Sequence, residues 1–184
     1  MVMSLLEGGF SPQQLQVDAV DISARAIARA IRGVYGPNSF RGANLAFRER
    51  YFRPAGNDYV LIESVRGIVT FRQSNVLSQD FSLRQELYDV IFCRNLLIYF
   101  DRSTQEQVMK TLARLLKPGG LLFVGPAEAF LASCSGFASV NLAMSFAFRR
   151  TGKTFVLDGS HRVVAAGPMG PEIEKAVRQL LAGP

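Results

Sequence analysis

Hydrophobic and polar positions along this chain switch between two periods. Met1 to Glu7 is a short apolar stretch closed by Gly8-Gly9, the pattern of a helix end with a glycine cap. Gln16 to Val20 alternates and ends on Asp21, which predicts a strand. Ser23 is placed to N-cap a helix in which Ile27, Ala30 and Ile31 share one face and Arg25, Arg29 and Arg32 the other. A turn-rich loop runs from Gly33 to Gly42. Three β-like pieces follow, Arg50 to Arg53, Tyr59 to Ile62 and Val69 to Gln73, the first two joined by Pro54-Ala55-Gly56-Asn57-Asp58, a hairpin-type connection. Leu87 to Cys93 is apolar except for Asp89 and reads as a strand buried on both faces. Ser103-Thr104-Gln105-Glu106 has capping-box spacing, Val108, Leu112, Leu115 and Leu116 form the apolar face of the helix it opens, and Lys117-Pro118-Gly119-Gly120 stops it. Leu121 to Gly125 is a second buried strand, and Met144 to Arg150 a final alternating one.

Helices alternating with buried strands imply an α/β fold with a mostly parallel sheet covered on both faces. The reading is one domain over residues 1–150 with a β-rich insertion at about 50–73. From Thr151 the chain is punctuated by Gly152, Gly159, Gly167, Pro168, Gly170 and Pro171, the composition of a linker, with one exposed helix predicted over residues 172–181.

Composition narrows the function. The net charge of +6 comes from scattered arginines at helix spacing, which face water, and no nucleic-acid-binding module accompanies them, so nucleic acid is not expected as a partner. The two cysteines, Cys93 and Cys134, form no CxxC, and the one histidine, His161, lies in a polar stretch. No metal site, disulfide framework or histidine-based triad can be assembled from them, and the usage suits a reducing cytoplasm. No run reaches the roughly 18 apolar residues of a membrane span, and the start lacks a basic signal region, so stable membrane insertion is not expected.

In a parallel sheet, ligands bind at the carboxyl ends of the strands. Four clusters fall there. Asp21 is either a helix-capping residue or a carboxylate for both hydroxyls of a ribose. Asn75-Val76 is either a turn or an amide and hydrophobe that read an adenine edge. In Cys93-Arg94-Asn95 the arginine either holds a carboxylate or structures its loop, and Cys93 is a small core residue. In Tyr99-Phe100-Asp101, Tyr99 either packs in the core or points its hydroxyl into the site, with Ile98 and Phe100 the expected core residues.

Taken together the pieces make a longer string. Val20-Asp21-Ile22-Ser23 is followed by Gly33-Val34-Tyr35, Tyr51-Phe52, Val69-Thr70-Phe71 and Asn75-Val76-Leu77. It continues through Tyr88 to Asp101, containing FCRNLLIYFD, then Gly119-Gly120, Leu122-Phe123, Gly125 and Glu128. Over about residues 1–150 this resembles the CheR-type chemotaxis receptor methyltransferases. The resemblance implies a Rossmann-like sheet that binds S-adenosylmethionine and methylates glutamate carboxylates of a methyl-accepting receptor protein. It implies that Asp21 binds ribose, that Asn75 and Val76 contact the adenosyl part, and that Arg94 and Asn95 line the cofactor and acceptor site. Tyr99, facing the reacting centre, and Arg94 are the implied catalytic residues. The short strands between Tyr51 and Gln73 match the family's receptor-docking β-subdomain, and the short Arg53 to Asp58 connection resembles the type that needs no receptor-tail pentapeptide. A glutamate carboxylate is already a nucleophile at neutral pH, so the lack of histidines is no obstacle.

Against the family pattern, the chain is expected to be N-terminally truncated, without the helical domain, the first strand and the glycine-rich cofactor loop, and Ser23 replaces a second acidic residue. The absent strand is central in the family's sheet, so its neighbours are expected to lose backbone partners and to fold poorly or pair with another copy. Two functions follow: a protein-glutamate O-methyltransferase, or a catalytically inactive fragment that retains the receptor-docking surface. A generic small-molecule methyltransferase is disfavoured by the β-rich insertion and the Cys-Arg-Asn string.

Overall fold

A computed structural model of the chain describes residues 1–41, 45–82, 85–140, 145–151 and 161–166, the last segment as backbone. Its helices are α1 (Val2–Glu7), α2 (Ala24–Arg32), α3 (Ala46–Tyr51), α4 (Glu63–Arg66), α5 (Gln79–Ser82), α6 (Arg102–Leu115) and α7 (Ala129–Cys134). Its strands are β1 (Leu15–Asp21), β2 (Val34–Tyr35), β3 (Phe52–Ala55), β4 (Asp58–Leu61), β5 (Val69–Gln73), β6 (Tyr88–Cys93), β7 (Leu116–Val124), β8 (Phe137–Ser139), β9 (Ala147–Arg150) and β10 (His161–Ala166). A seven-stranded sheet runs in the order β5-β1-β10-β6-β7-β9-β8, and a separate three-stranded sheet in the order β2-β4-β3. The large sheet is parallel from β5 to β7, with β9 antiparallel to β7 and β8 antiparallel to β9. This is the Rossmann-like α/β arrangement expected from the sequence.

Every residue of β6 is buried. Side chains alternate across a strand. Val90 and Phe92 therefore enter one core with Val17 of β1, Phe123 of β7 and Val2 and Leu5 of α1. Ile91 and Cys93 enter the other with Val108 and Leu112 of α6. The Phe92 and Phe123 rings stack at 4.7 Å across the β6–β7 pair. Asp89, the polar interruption of this run, is buried, and both its oxygens accept from Lys117 Nζ at 3.1 and 3.2 Å. Lys117-Pro118-Gly119-Gly120 lies inside β7, and α6 ends before it. Gly120 is required there, because a Cβ would come within 2.9 Å of the Lys117 carbonyl.

Several local expectations change. The cap of α6 is Asp101, not the box beginning at Ser103. Its carboxylate accepts from the Thr104 N–H at 2.8 Å and from the Ser103 hydroxyl, which starts the helix earlier. Ser23 caps α2 by accepting from the Ala26 N–H, and Gly33 ends it at a φ of 62°. Ile31, expected on the buried face, is exposed, because α2 contributes no fully buried residue to either core. Arg50 and Tyr51 belong to α3 rather than to a strand, since Tyr51 is buried from the helix and β3 begins at Phe52.

The β-rich insertion is also divided differently from the expected 50–73 span. β5 pairs in parallel with β1 and is part of the large sheet. The antiparallel sheet takes its third strand from Val34–Tyr35. The β3–β4 hairpin turns through Gly56-Asn57, with Gly56 at a φ of 60°. An aromatic cluster fastens it: Phe40 lies edge-on to Phe52 at 5.0 Å and to Tyr59 at 4.9 Å, and the Arg48 guanidinium covers the Tyr59 ring at 4.9 Å.

The largest correction concerns the tail. Residues 161–166, read as linker, form β10, which fills the slot between β1 and β6 and is parallel to both. The open central position expected of the sheet is thus closed by the chain's own backbone. Buried backbone N–H and C=O groups must be paired. β6 is buried at every position, and β10 supplies partners for its Val90 to Cys93. Geometry allows this within one chain. Antiparallel β9 brings Arg150 back to the edge where the parallel strands begin, and His161 starts at that edge, beside Leu15. The ten residues between can span up to about 33 Å, against roughly 15 Å across three strand spacings. The predicted start of the last strand at Met144 and the predicted helix at 172–181 lie outside the described residues.

Candidate functional site

β1, β5 and β6 end at one edge of the sheet, at Asp21, Gln73 and Cys93. A cavity of about 300 Å³ opens there, lined by Asp21 and Ile22 after β1, Asn75 and Val76 after β5, and Cys93, Arg94 and Asn95 after β6. Parallel strands in register bring their following loops together, so three positions read separately from the sequence share one wall.

Asp21 is exposed, and its Oδ1 accepts the Ser23 N–H at 2.8 Å. Both sequence readings of this residue therefore hold a part of it: one oxygen orders the turn into α2, and the carboxylate still borders the cavity. Asn75 Oδ1 accepts the Leu77 N–H at 3.0 Å, the bond of an Asx turn. Its amide nitrogen is the group left to face a ligand. Val76 is half-buried against the α6 side of the core and forms an apolar wall. Arg94 is half-buried, and Asn95 holds a φ of 57°. Asparagine is among the few side chains that adopt this left-handed backbone at modest cost.

Tyr99 is placed differently. It ends a 3₁₀ turn over Leu97–Tyr99, is 78% exposed, and does not line the cavity. Ile98, expected in the core, is also exposed. Leu97 is fully buried and takes the inward position of the turn, and at three residues per turn the next two side chains point away. Phe100 does line the cavity.

Cys93 forms the floor. Burial, followed by the negative charge of Glu128, pushes its thiol up to about 12. It is an inert apolar element, not a nucleophile. No cluster of metal-ligating side chains occurs among the described residues, and no helix among them is long and apolar enough to cross a membrane.

Two polar residues were given no role by the sequence reading: Asp18, which it did not single out, and Glu128, which it quoted only as part of the family string. Asp18, inside β1, is buried and accepts a 2.8 Å hydrogen bond from the Tyr88 hydroxyl beside an adjoining cavity of about 360 Å³. Glu128 is buried directly beneath the loop after β6. Its Oε2 accepts the Gly125 N–H, three residues back, at 2.7 Å.

Comparison with known proteins decides the family. The profile described as "CheR methyltransferase, SAM binding domain" matches residues 1–146. The chain belongs to this family. The chain is 49% identical over 173 residues to the protein named "Probable biofilm formation methyltransferase WspC" of Pseudomonas aeruginosa, covering 90% of this chain and 41% of that protein. The "Chemotaxis protein methyltransferase 2" of the same species is 36% identical over 128 residues, 67% of this chain and 45% of that protein. The "Chemotaxis protein methyltransferase" of Escherichia coli is 33% identical over 126 residues, 66% and 44% of the two chains. This CheR-family chain thus spans less than half the length of these relatives. Among solved structures, a CurJ carbon methyltransferase aligns over 78% of this chain and 43% of that one, with a TM-score of 0.47 and 14% identity.

Proposed function

We propose that this chain carries the nucleoside-binding wall of an S-adenosylmethionine-dependent protein-glutamate O-methyltransferase acting on methyl-accepting receptors in the cytoplasm. The observation that carries the reading is the convergence of Asp21, Asn75-Val76 and Arg94-Asn95 on one cavity at the carboxyl edge of the sheet.

The residues present fit the nucleoside part of such a cofactor. A carboxylate at a strand end accepts two adjacent ribose hydroxyls, and charge-assisted bonds of this kind are about twice as strong as neutral ones. The Asn75 amide suits the edge of a purine ring, and Ile22, Val76 and Phe100 suit its faces. Bound there, the cofactor supplies an electrophilic methyl group on a sulfonium sulfur.

The remaining work belongs to the protein. Arg94 would pair with the acceptor carboxylate and orient it, while the apolar floor at Cys93 and Val76 excludes water. Alignment of this kind can contribute roughly 7–11 kcal/mol. Tyr99, exposed outside the cavity and one residue before its lining residue Phe100, would meet the acceptor only as part of the surface it docks on. The β2–β4–β3 sheet is the receptor-docking candidate, and its two-residue turn suits a type that needs no tail pentapeptide.

The test is transfer of labelled methyl from S-adenosylmethionine to a receptor cytoplasmic domain, read as base-labile ester released as methanol. Label that vanishes when the receptor glutamates are changed to alanine supports the proposal. Receptor binding without any label favours the alternative, an inactive chain that keeps the docking surface.

A further inference from the structure

The loop after β6 reaches the cavity in an unusual way. Its first residues leave a strand buried on both faces, Asn95 takes a left-handed φ, and Leu97 returns to the core. Such a turn leaves several backbone N–H groups that the sheet no longer pairs.

Glu128 collects them. Its Oε1 accepts the N–H of Leu96 at 2.9 Å and of Leu97 at 2.8 Å. Its Oε2 accepts the N–H of Asn95 at 3.1 Å and of Gly125 at 2.7 Å. The residue is 1% exposed. Four donors on one carboxylate, two per oxygen, join the loop after β6 to the loop after β7. The local sequence is shaped around this contact: a Cβ on Gly125 would stand 2.8 Å from Glu128 Oε2 and 3.1 Å from Asn95 Oδ1.

A carboxylate is the side chain suited to this role. It presents acceptors at both oxygens, whereas an amide of equal size turns N–H groups toward N–H groups at one of the two. The bonds are charge-assisted and end on a buried carboxylate, so each is worth more than an exposed one.

We infer that Glu128 is a positioning residue for ligand binding: through four backbone N–H groups it fixes the loop that aims Arg94 and Asn95 into the cavity, without itself touching a ligand. This rests on the functional reading above, but its first test does not.

That test is amide hydrogen exchange on the full chain without ligand. In Glu128→Gln, protection at Asn95, Leu96 and Leu97 should fall by roughly a hundredfold while that of Val90 to Phe92 in β6 is kept, as expected for a local opening. Gly125→Ala, which crowds the carboxylate with an allowed backbone, should give the same pattern if the glutamine variant does not fold. Unchanged protection at 95–97 in the folded variant overturns the inference.

The second readout is a double-mutant cycle on S-adenosylmethionine affinity. Asn95→Ala should weaken binding roughly tenfold in the parent chain and less than about twofold in Glu128→Gln, because residues acting through one contact are not additive. Additive losses overturn the positioning role. If the parent chain binds no cofactor, the functional reading fails, and the exchange result alone decides whether Glu128 holds the loop.

Discussion

Replacing Val164 by proline removes one backbone N–H from the middle of β10. The register sets Val164 opposite Asp18 of β1 and Ile91 of β6, so the strand is paired on both sides. Proline cannot donate to a ladder and is confined to edges. The variant leaves one acceptor orphaned in a sheet interior, at a cost of about 1–3 kcal/mol. Ending the chain before His161 is a stronger perturbation. Five residue pairs with β1 and four with β6 are then lost. At about 1 kcal/mol net per ladder hydrogen bond this amounts to several kcal/mol, against roughly 5–15 kcal/mol of total domain stability. Amide exchange across the sheet is the assay. Protection at Val17 to Ala19 and Val90 to Phe92 should fall by one to two orders of magnitude with proline and collapse in the shortened chain. Parent-like protection in both variants would mean that β1 and β6 have other partners for their backbones and that β10 does not hold the sheet.

Lys117→Met removes the cation from the buried Asp89 carboxylate and should destabilise the chain by about 3 kcal/mol in urea unfolding, with recovery when Asp89 is made leucine as well. In a Cys134→Ser background, the folded Cys93 thiol at about 12 should alkylate at pH 8 about a thousandfold more slowly than the unfolded chain. Because that value lies above the unfolded one, the native state keeps its proton longer, and stability should fall as pH rises from about 9 toward 12. The Asp101 carboxyl is held below its ordinary value by hydrogen bonds from Thr104 and Ser103. Its contribution is present above about pH 4 and lost as pH falls through the lowered value, so Asp101→Asn should flatten the acid limb of the melting profile.

Four strands of the parallel core, β1, β5, β6 and the Leu121–Val124 part of β7, were legible because each is either continuously apolar or alternating. β6 is the clearest case, and its Asp89 was an anomaly only until Lys117, in the next strand, came into contact. The strand ends that line the cavity were legible for the same reason: once Asp21, Gln73 and Cys93 end parallel strands, their loops must meet. β10 was not legible. His-Arg-Val-Val-Ala-Ala is short, sits among glycines and prolines, and becomes a strand because a buried slot needs backbone partners, a requirement set far away in sequence. Ile31 and Ile98 show the limit of periodicity, which marks an apolar position without saying whether anything covers it. Tyr99 was drawn into the site by the family string, and the buried Leu97 turns it outward. Glu128 acts on backbone groups more than thirty residues away, which no local pattern expresses.

The claim that most needs testing is that the cavity wall binds the nucleoside of S-adenosylmethionine. Calorimetric titration of the full chain with the cofactor, beside Asp21→Ala, addresses it directly. Binding should be saturable in the parent chain and at least about tenfold weaker in the variant, with the melting temperature in absence of ligand little changed since Asp21 is exposed. No heat at millimolar cofactor, or equal affinity in the two proteins, contradicts that claim.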